Sequence, residues 1–314
     1  MKLRSILAAS AALLISAVTA QAAQVAALTG DKTIAIVDTA AKKVVKTWDI
    51  QGVNGKVVGI DVRPADSMLY AVTVDGTVYT VDGSTGKATV KSKLETMLKP
   101  GTWATVDFNP VADRLRIIGN DGMNLRANVD DGKVTTDGML KFAETDMHKG
   151  EKPNVVAAAY INSVKGAKET ALYDIDGTIG GLLKQAPPND GILGAVGKLG
   201  VKADMAAFDI WSDGTKNEAW LMVGDSLHSV DLATGKAGAS DNETLLQDAR
   251  RCVRAVKKNC PGCDLLSLPS DKRALVAEIL VATRPSPDTS LDFFAKAKSL
   301  SSDLSALESK LLCR

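Results

Sequence analysis

Aromatic residues and histidines are scarce in this sequence, and neither sign of charge dominates it. Only 4% of the residues are aromatic, two are histidine, and 38 basic residues face 37 acidic ones. Two histidines cannot build a histidine-rich metal centre. A near-neutral chain has no overall field that would steer it to nucleic acid. Because 45% of the residues are apolar, a disordered chain is excluded as well. A folded globular protein that does not bind nucleic acid is the class that remains.

Long apolar runs are absent after the N-terminus, which itself has the layout of a secretory signal peptide. Lys2 and Arg4 precede an apolar run over residues 6–18, and Ala20 and Ala22 then form an A-x-A cleavage site. The run is shorter than the roughly 18 residues that span a bilayer. We therefore predict cleavage after Ala22, a periplasmic or secreted protein, and no transmembrane segment in the mature chain.

Cysteine is absent until the last 63 residues, where all four cysteines lie. An even number of cysteines in an exported chain predicts two disulfides, although a four-thiolate zinc site and a thiol–disulfide exchange site at the C-P-G-C motif are alternatives. The sequence does not choose among the three possible pairings. The four residues are Cys252, Cys260, Cys263 and Cys313.

One β-rich unit repeats along the chain between residues 25 and 238. Each copy has short runs of β-branched and aromatic residues that end at Gly, Pro or Asp, a pattern typical of antiparallel strands joined by tight turns. Asp61 and Asp107 occupy equivalent places 46 residues apart. The Asp-Gly pairs at 75–76, 121–122 and 176–177 predict hairpins with a positive φ at the glycine.

A period in the high forties with four strands per unit is typical of a β-propeller blade. Radial packing buries both apolar faces of each small sheet and shortens its exposed edges. Residues 28–45 form a partial copy that lacks its first strand. Four whole units and this fragment predict a mainly β protein with about five blades, in which the fragment needs a strand from elsewhere to close the ring. A β-sandwich or a solenoid is the alternative architecture.

Motifs in the second and fourth units carry a family resemblance. The second unit contains Val106-Asp107-Phe108-Asn109-Pro110, then Asp113-Arg114-Leu115-Arg116, and the fourth ends in Asp231-Leu232-Ala233-Thr234-Gly235. These motifs resemble those of the bacterial family called domain of unknown function 4394. The resemblance covers roughly residues 25–238. It implies a propeller-like repeat and an exported context, and it brings no assigned reaction or catalytic residue.

After residue 239 the sequence predicts helices instead of strands. Ser240 and Glu243 have capping-box spacing, and apolar residues then recur at helical intervals in three stretches. A basic cluster over residues 250–258 is either a solvated helix face or a site for an anionic partner. We therefore predict a signal peptide at residues 1–22, a β-propeller-like repeat domain at 23–239, and a cysteine-containing three-helix domain at 240–314. Whether this tail covers an open seam of the ring stays open.

Charged and amide side chains are concentrated in the second unit, and they are our candidates for ligand binding. Arginines beside amides can clamp a carboxylate or a phosphate, whereas the same residues can also form ion pairs that stiffen the blade. The candidates are Asp107, Asn109, Arg114, Arg116, Asn124 and Arg126.

Three aspartates that begin equivalent units are the candidates for metal binding. In a ring of blades, Asp61, Asp107 and Asp209 would converge on the central channel, where they could hold Ca²⁺. Aspartate at a strand end is also ordinary turn chemistry. Ca²⁺ is therefore the one cofactor that we consider, and the sequence requires none.

The sequence has neither a P-loop nor a G-x-S-x-G elbow. The function that we predict is an exported, non-catalytic propeller scaffold that binds a small molecule or an envelope protein. A metal-dependent hydrolase or lyase that uses the channel aspartates is the first alternative. A structural envelope protein whose helical tail docks a partner is the second.

Overall fold

Antiparallel β-strands form almost all of the regular structure. The computed structural model describes residues 24–39, 43–224 and 226–239. Nineteen strands and one 3-10 helix, Pro188–Asp190, occur in these ranges, and they contain no helix that could cross a membrane. This part of the chain is mainly β, as predicted. The predicted signal peptide at residues 1–22 and the predicted helical domain at 240–314, with its four cysteines, lie outside the described residues.

The strands form five sheets, which we number as blades 1 to 5 along the chain. Blade 1 contains β1 (Gln24–Thr29), β2 (Thr33–Asp38) and β3 (Lys43–Asp49). Blade 2 contains β4 (Val57–Val62), β5 (Leu69–Thr73), β6 (Thr77–Val81) and β7 (Ala88–Lys93). Blade 3 contains β8 (Ala104–Asn109), β9 (Arg114–Gly119), β10 (Asn124–Ala127) and β11 (Val134–Thr136).

Blade 4 contains an additional short strand. It consists of β12 (Lys141–Phe142), β13 (Val155–Tyr160), β14 (Leu172–Asp176), β15 (Gly181–Gln185) and β16 (Ile192–Lys198). The short β12 pairs in parallel with β16, whereas the other neighbours are antiparallel. Blade 5 consists of β17 (Ala207–Ser212), β18 (Asn217–Val223) and β19 (Ser226–Val230).

Apolar side chains are packed between each pair of neighbouring blades and close the five sheets into a ring. The clusters are centred on Ile34 and Val57 for blades 1 and 2, on Phe108 and Leu115 for blades 2 and 3, on Ile118 and Leu183 for blades 3 and 4, on Leu182 and Ile210 for blades 4 and 5, and on Val37 and Leu227 for blades 5 and 1. The arrangement is a five-bladed β-propeller, as the repeat predicted.

Two of the three predicted Asp-Gly hairpins have the expected backbone. Gly76 and Gly122 adopt positive φ angles of 82° and 95°. The third prediction is wrong in detail, because Gly177 is not in the left-handed region and Gly180, with φ of 60°, takes that role. Four residues separate β14 from β15, whereas three separate β5 from β6, so the tight bend falls later in the longer turn.

The outer turns contact the preceding blade closely. Gly132, in the turn before β11, has φ of 79°, and a Cβ at this position would lie 2.1 Å from the carbonyl oxygen of Lys93 in blade 2. Gly235, after β19, repeats the contact, with a Cβ position 2.7 Å from the carbonyl oxygen of Gly197 in blade 4. Only glycine fits these two places, because both the backbone angle and the space exclude a side chain.

Blade 1 differs from blade 2 in lacking an innermost strand among the described residues. The pair Leu28–Ile34 in blade 1 corresponds to the pair Val72–Val78 in blade 2, so β1 occupies the place of β5. In blade 2 the inner strand β4 pairs with β5, whereas β1 is the edge of its sheet. The partial N-terminal copy is thus a three-stranded blade whose edge faces the centre of the ring.

Candidate functional site

A cavity of about 1090 Å³ occupies the centre of the ring. It is lined by the innermost strands β4, β8, β13 and β17 and by the edge strand β1. Because all five blades contribute a strand, residues that are far apart in the sequence share this channel. Three of the four tryptophans of the chain, Trp103, Trp211 and Trp220, also line it.

The three aspartates proposed as metal ligands lie together in the channel. One carboxylate oxygen of each of Asp61, Asp107 and Asp209 lies within 4.8 Å of the others. They come from β4, β8 and β17, and the equivalent position of β13 is Ala159. The repeat predicts this convergence because equivalent residues of inner strands point to the same axis. Whether the three carboxylates hold a metal ion stays a prediction.

Backbone N–H groups orient these carboxylates. The amide of Val62 donates to Asp61 Oδ1 at 2.6 Å, and the amide of Phe108 in the next blade donates to Asp61 Oδ2 at 2.6 Å. The amide of Tyr160 donates to Asp107 Oδ1 at 3.0 Å, again from the next blade. Asp209 Oδ1 accepts from the amide of Ile210 at 2.7 Å. Among the described residues, the donors to each aspartate are therefore main-chain N–H groups and not basic side chains.

Burial raises the pKa values of all three carboxyl groups, and the charge of neighbouring aspartates raises those of Asp61 and Asp107 further. Burial is the largest cause at each residue. The charge of Asp209 raises the pKa of Asp61 further, and the charges of Asp61 and Asp209 do the same at Asp107. No ion pair with a described residue offsets this repulsion. The cluster is therefore an electrostatic site that a positive charge would stabilise.

Oxygen ligands from three blades are the donor set that Ca²⁺ prefers, and a cationic side chain or an organic cation fits the same charge. The tryptophans add aromatic faces, which attract cations. The Nε1 group of Trp103 donates to the carbonyl of Val156 at 2.9 Å, whereas the buried Nε1 of Trp220 has no partner among the described residues. These tryptophans were not predicted from the sequence as channel residues, although their rarity could have indicated them.

The six candidate ligand-binding residues of the second unit do not form one site. Asp107 faces the channel, and Asn109 accepts from the amides of Val111 and Ala112 in its own turn. Arg114 donates to the carbonyls of Ala112 and Asp113. These residues therefore stabilise local structure, except for Asp107.

The other three residues meet around a carboxylate that the sequence analysis missed. Arg116 is 2% exposed and donates to Asp137 at 2.6 Å and to Asn124 Oδ1 at 2.9 Å. Arg126 donates to both oxygens of Asp137. Arg116 also donates to Asn189 in blade 4 at 2.7 Å. The arginines are thus paired within the protein, which is the alternative that the sequence left open.

Asp113, another acidic residue of this unit, lies at the interface with blade 2. Arg63 donates to Asp113 at 2.8 and 2.6 Å and to Asp130 at 3.1 and 2.8 Å. The Arg63 side chain also lies 5.8 Å from the ring centre of Tyr70. The pKa of Arg63 is raised by its bonds to Asp113 and Asp130. This cluster joins two blades, and its arginine is already paired with carboxylates.

The fold and the channel place the chain among β-propellers, and the comparisons with known proteins identify its family. The model of the family described as domain of unknown function (DUF4394) matches residues 33–246. Because this match covers more than half of the chain, the chain belongs to that family, as the sequence motifs indicated. A comparison with curated proteins returns no match.

Several solved structures are similar to the chain at low sequence identity. A protein of unknown function from Bacteroides caccae is 12% identical, with a TM-score of 0.39 over 69% of this chain and 72% of that one. One from Bacteroides thetaiotaomicron VPI-5482 is 17% identical, with a TM-score of 0.44 over 69% and 55%. The computationally designed Ika8 protein is 15% identical, with a TM-score of 0.34 over 68% and 60%.

Proposed function

We propose that this protein is an exported, non-catalytic binding module whose central channel takes up a positively charged group. The observation that carries the proposal is the convergence of Asp61, Asp107 and Asp209 within 4.8 Å of one another, without a basic partner among the described residues. Tryptophans around the same cavity support it, because aromatic faces and carboxylates together favour cations. A divalent cation and a cationic side chain are both within this ligand class.

Cation binding should depend on pH. The pKa values of the three carboxyl groups are raised, so protons compete with the ligand well above pH 4. We expect the affinity for Ca²⁺, measured by calorimetry on the full chain, to rise from pH 5 to pH 8. An affinity that does not change over this range would contradict binding at the cluster.

A substitution tests the site directly. Asp107→Asn keeps the acceptor oxygen for the Tyr160 amide and removes the charge, so Ca²⁺ affinity should fall about tenfold, which corresponds to about 1.4 kcal/mol. Asp204→Asn is the matched control, because Asp204 is exposed and pairs with Lys202 outside the channel. Equal Ca²⁺ affinity in the two variants would rule out the proposed site. Quenching of tryptophan fluorescence provides a second readout.

Export is part of the proposal and has its own test. The charged residues at positions 2 and 4, the apolar run and the Ala20-x-Ala22 site support a signal peptide. Mass spectrometry of the protein expressed in a Gram-negative host should find a mature chain in the periplasm or medium that begins at residue 23. An uncleaved cytoplasmic chain would contradict export.

A metal-dependent hydrolase or lyase is the second candidate, and the same three carboxylates favour it because divalent metal sites can polarise substrate oxygens. A screen with sugar lactones and phosphate esters, with and without a chelator, separates the two candidates. Chelator-sensitive turnover that Asp107→Asn abolishes would establish the second. Cation binding without turnover would favour the binding module.

A further inference from the structure

Three buried side-chain oxygen atoms between blades 3 and 4 have no hydrogen-bond donor among the described residues. They are Oδ1 and Oδ2 of Asp174 and Oε1 of Gln185, and both residues are fully enclosed by the protein. A buried carboxyl group without a donor is costly, because burial removes the water that would otherwise bind it. These atoms therefore need an explanation that the apolar packing around them does not give.

The strand register places the two side chains together. Asp174 of β14 lies opposite Leu183 of β15, and Gln185 lies opposite Leu172. Asp174 and Gln185 are thus diagonal neighbours on one face of the sheet, at a spacing of about 7–8 Å that long side chains can bridge. This face packs against blade 3, since Leu172 and Leu183 belong to the cluster that contains Ile118.

The side-chain amide of Gln185 has a defined orientation. Its Nε2 group donates to the carbonyl oxygen of Pro188 at 2.6 Å, and a carbonyl oxygen can only accept a hydrogen bond. The Oε1 atom is therefore the end of the amide that points away from Pro188. A hydroxyl group beside this atom would supply the donor that it lacks.

Arg116 influences the Asp174 carboxyl group electrostatically, but its hydrogen bonds go elsewhere. The guanidinium donates to Tyr160, Asn124, Asp137 and Asn189. None of these bonds reaches Asp174, whose two oxygens have no partner in the described part of the chain. Asp174 is therefore not one half of a buried ion pair with Arg116.

The charges inside this joint balance without Asp174. Arg116 and Arg126 are the two positive charges, and both bind Asp137. Asp176 is the second negative charge, and its carboxylate accepts backbone N–H groups from β13 and from its own turn. An ionised Asp174 would add a negative charge that no described group offsets. The titratable and charged groups around Asp174 are Arg116, Arg126, Asp137, Tyr160, Asp176 and, at the channel end of the joint, Asp107.

The electrostatics of the site favour the protonated form of Asp174. Burial raises the pKa of Asp174 well above its usual range. The charge of Arg116 offsets part of this increase, and the charge of Asp176 adds to it. Geometry and electrostatics thus indicate the same protonation state.

We propose that Asp174 is a neutral carboxylic acid in the folded protein, that its hydroxyl group donates a hydrogen bond to Gln185 Oε1, and that loss of this proton destabilises the joint between blades 3 and 4. One proton supplies the missing donor and removes the unbalanced charge. On deprotonation the proton passes to solvent and leaves three buried acceptors, one group of them charged, without a donor. The joint is thereby a pH-sensitive element of the ring, whatever the channel binds.

Asp174→Asn tests the proposal, because asparagine keeps the size of the side chain, donates an N–H to Gln185 and cannot ionise. Above about pH 4 the folded wild-type chain holds one proton at this residue that the unfolded chain lacks, so its stability falls as the pH rises until Asp174 ionises. Relative to Asp174→Asn, the unfolding equilibrium constant of the wild-type chain should rise by up to tenfold per pH unit and then level off. Denaturant titrations from pH 5 to pH 9 measure this ratio, in which the channel aspartates cancel.

The matched control is Asp204→Asn, since Asp204 pairs with Lys202 on the surface. Its unfolding equilibrium constant should keep a constant ratio to that of the wild-type chain over the same pH range. A constant ratio for Asp174→Asn as well would overturn the proposal, because Asp174 would then be ionised throughout, with buried water or a cation supplying the missing partners.

Infrared spectroscopy observes the proton itself. At pH 6 the wild-type chain should show a carboxylic acid C=O band that Asp174→Asn lacks, whereas the channel carboxyl groups contribute equally to both spectra. Gln185→Leu should move this band to higher frequency, because the hydroxyl group loses its acceptor, and this variant gives the answer if Asp174→Asn does not fold. Identical spectra of the wild-type chain and Asp174→Asn, or an unshifted band in Gln185→Leu, would overturn the proposal.

Discussion

The interface between blades 2 and 3 and the seam between blades 5 and 1 differ in how they are packed. The first contains thirteen buried apolar residues, among them Phe108 and Leu115, and the Arg63 ion-pair cluster joins its two sides. The second contains three described buried residues, Val25, Val37 and Leu227. Among the described residues the joints of the ring are therefore unequal, and the one with fewer buried apolar residues lies where the first and last blades meet.

The inner strands account for much of this difference. At the strong interface β4 and β8 pack directly against each other, and Phe108 contacts Tyr70 edge to face with ring centres 5.2 Å apart. At the seam β1 occupies the place of a second strand, and no inner strand covers it among the described residues, so Leu227 borders the channel.

One leucine substitution at each of the two interfaces should give the largest difference in the free energy of unfolding. Leu115→Ala should cost about 4–5 kcal/mol of the free energy of unfolding, because Leu115 is fully buried and its neighbours cannot close the cavity. Leu227→Ala should cost about 2–3 kcal/mol, since the channel lets the site relax. Urea unfolding of the two variants measures both values. Equal losses would mean that the seam is packed as firmly as the other interface.

Two glycines test the close contact between blades 2 and 3. Gly132→Ala should cost about 3 kcal/mol, because a Cβ would lie 2.1 Å from the Lys93 carbonyl oxygen. Gly150→Ala should cost about 1 kcal/mol, since Gly150 has a similar φ of 82° but open space around it. The difference between the two melting curves isolates the contact from the backbone strain. A similar loss in both would show that the turn can move away from blade 2.

The ion-pair cluster should give the smallest effect, and it should depend on pH. Arg63 and Lys91 hold the pKa of Asp130 well below its usual range, so the pairing stabilises the fold above about pH 4 and is lost as the pH falls. Because Asp113 and Asp130 are partly exposed, Arg63→Gln should cost only about 1–2 kcal/mol at pH 7. Denaturant titrations at pH 7 and pH 3 should show the difference from wild type shrinking in acid. A constant difference would assign the effect to packing.

The sequence predicts the blades well because their signals are local. Alternating apolar residues and turn glycines can be recognised within one unit, and the 46-residue spacing from Asp61 to Asp107 reveals the repeat that makes equivalent residues comparable. The repeat also predicts that the channel aspartates converge, since symmetry carries one residue onto the next. The fragment at the N-terminus is likewise identified by its match to blade 2.

Contacts between different blades cannot be predicted from the sequence of a single unit. Arg116 pairs with Asp137 and with Asn189, 73 residues further along the chain, and Arg63 pairs with Asp113, 50 residues away. Nothing in the spacing of a single unit specifies such partners, so the arginines look like a ligand clamp when only the sequence is considered. Trp220 pairs with Asp209 as Tyr70 pairs with Asp61, but that Trp220 lines the channel follows only from the ring.

The glycine contacts between blades have a consequence for biosynthesis. Gly132 and Gly235 fit against carbonyl oxygens of the blade that precedes them in the chain. During translation that earlier blade has already left the ribosome when the glycine emerges. Blades 3 and 5 can therefore dock onto a blade that has already been synthesised, whereas the joint between the last blade and the first must await the synthesis of blade 5.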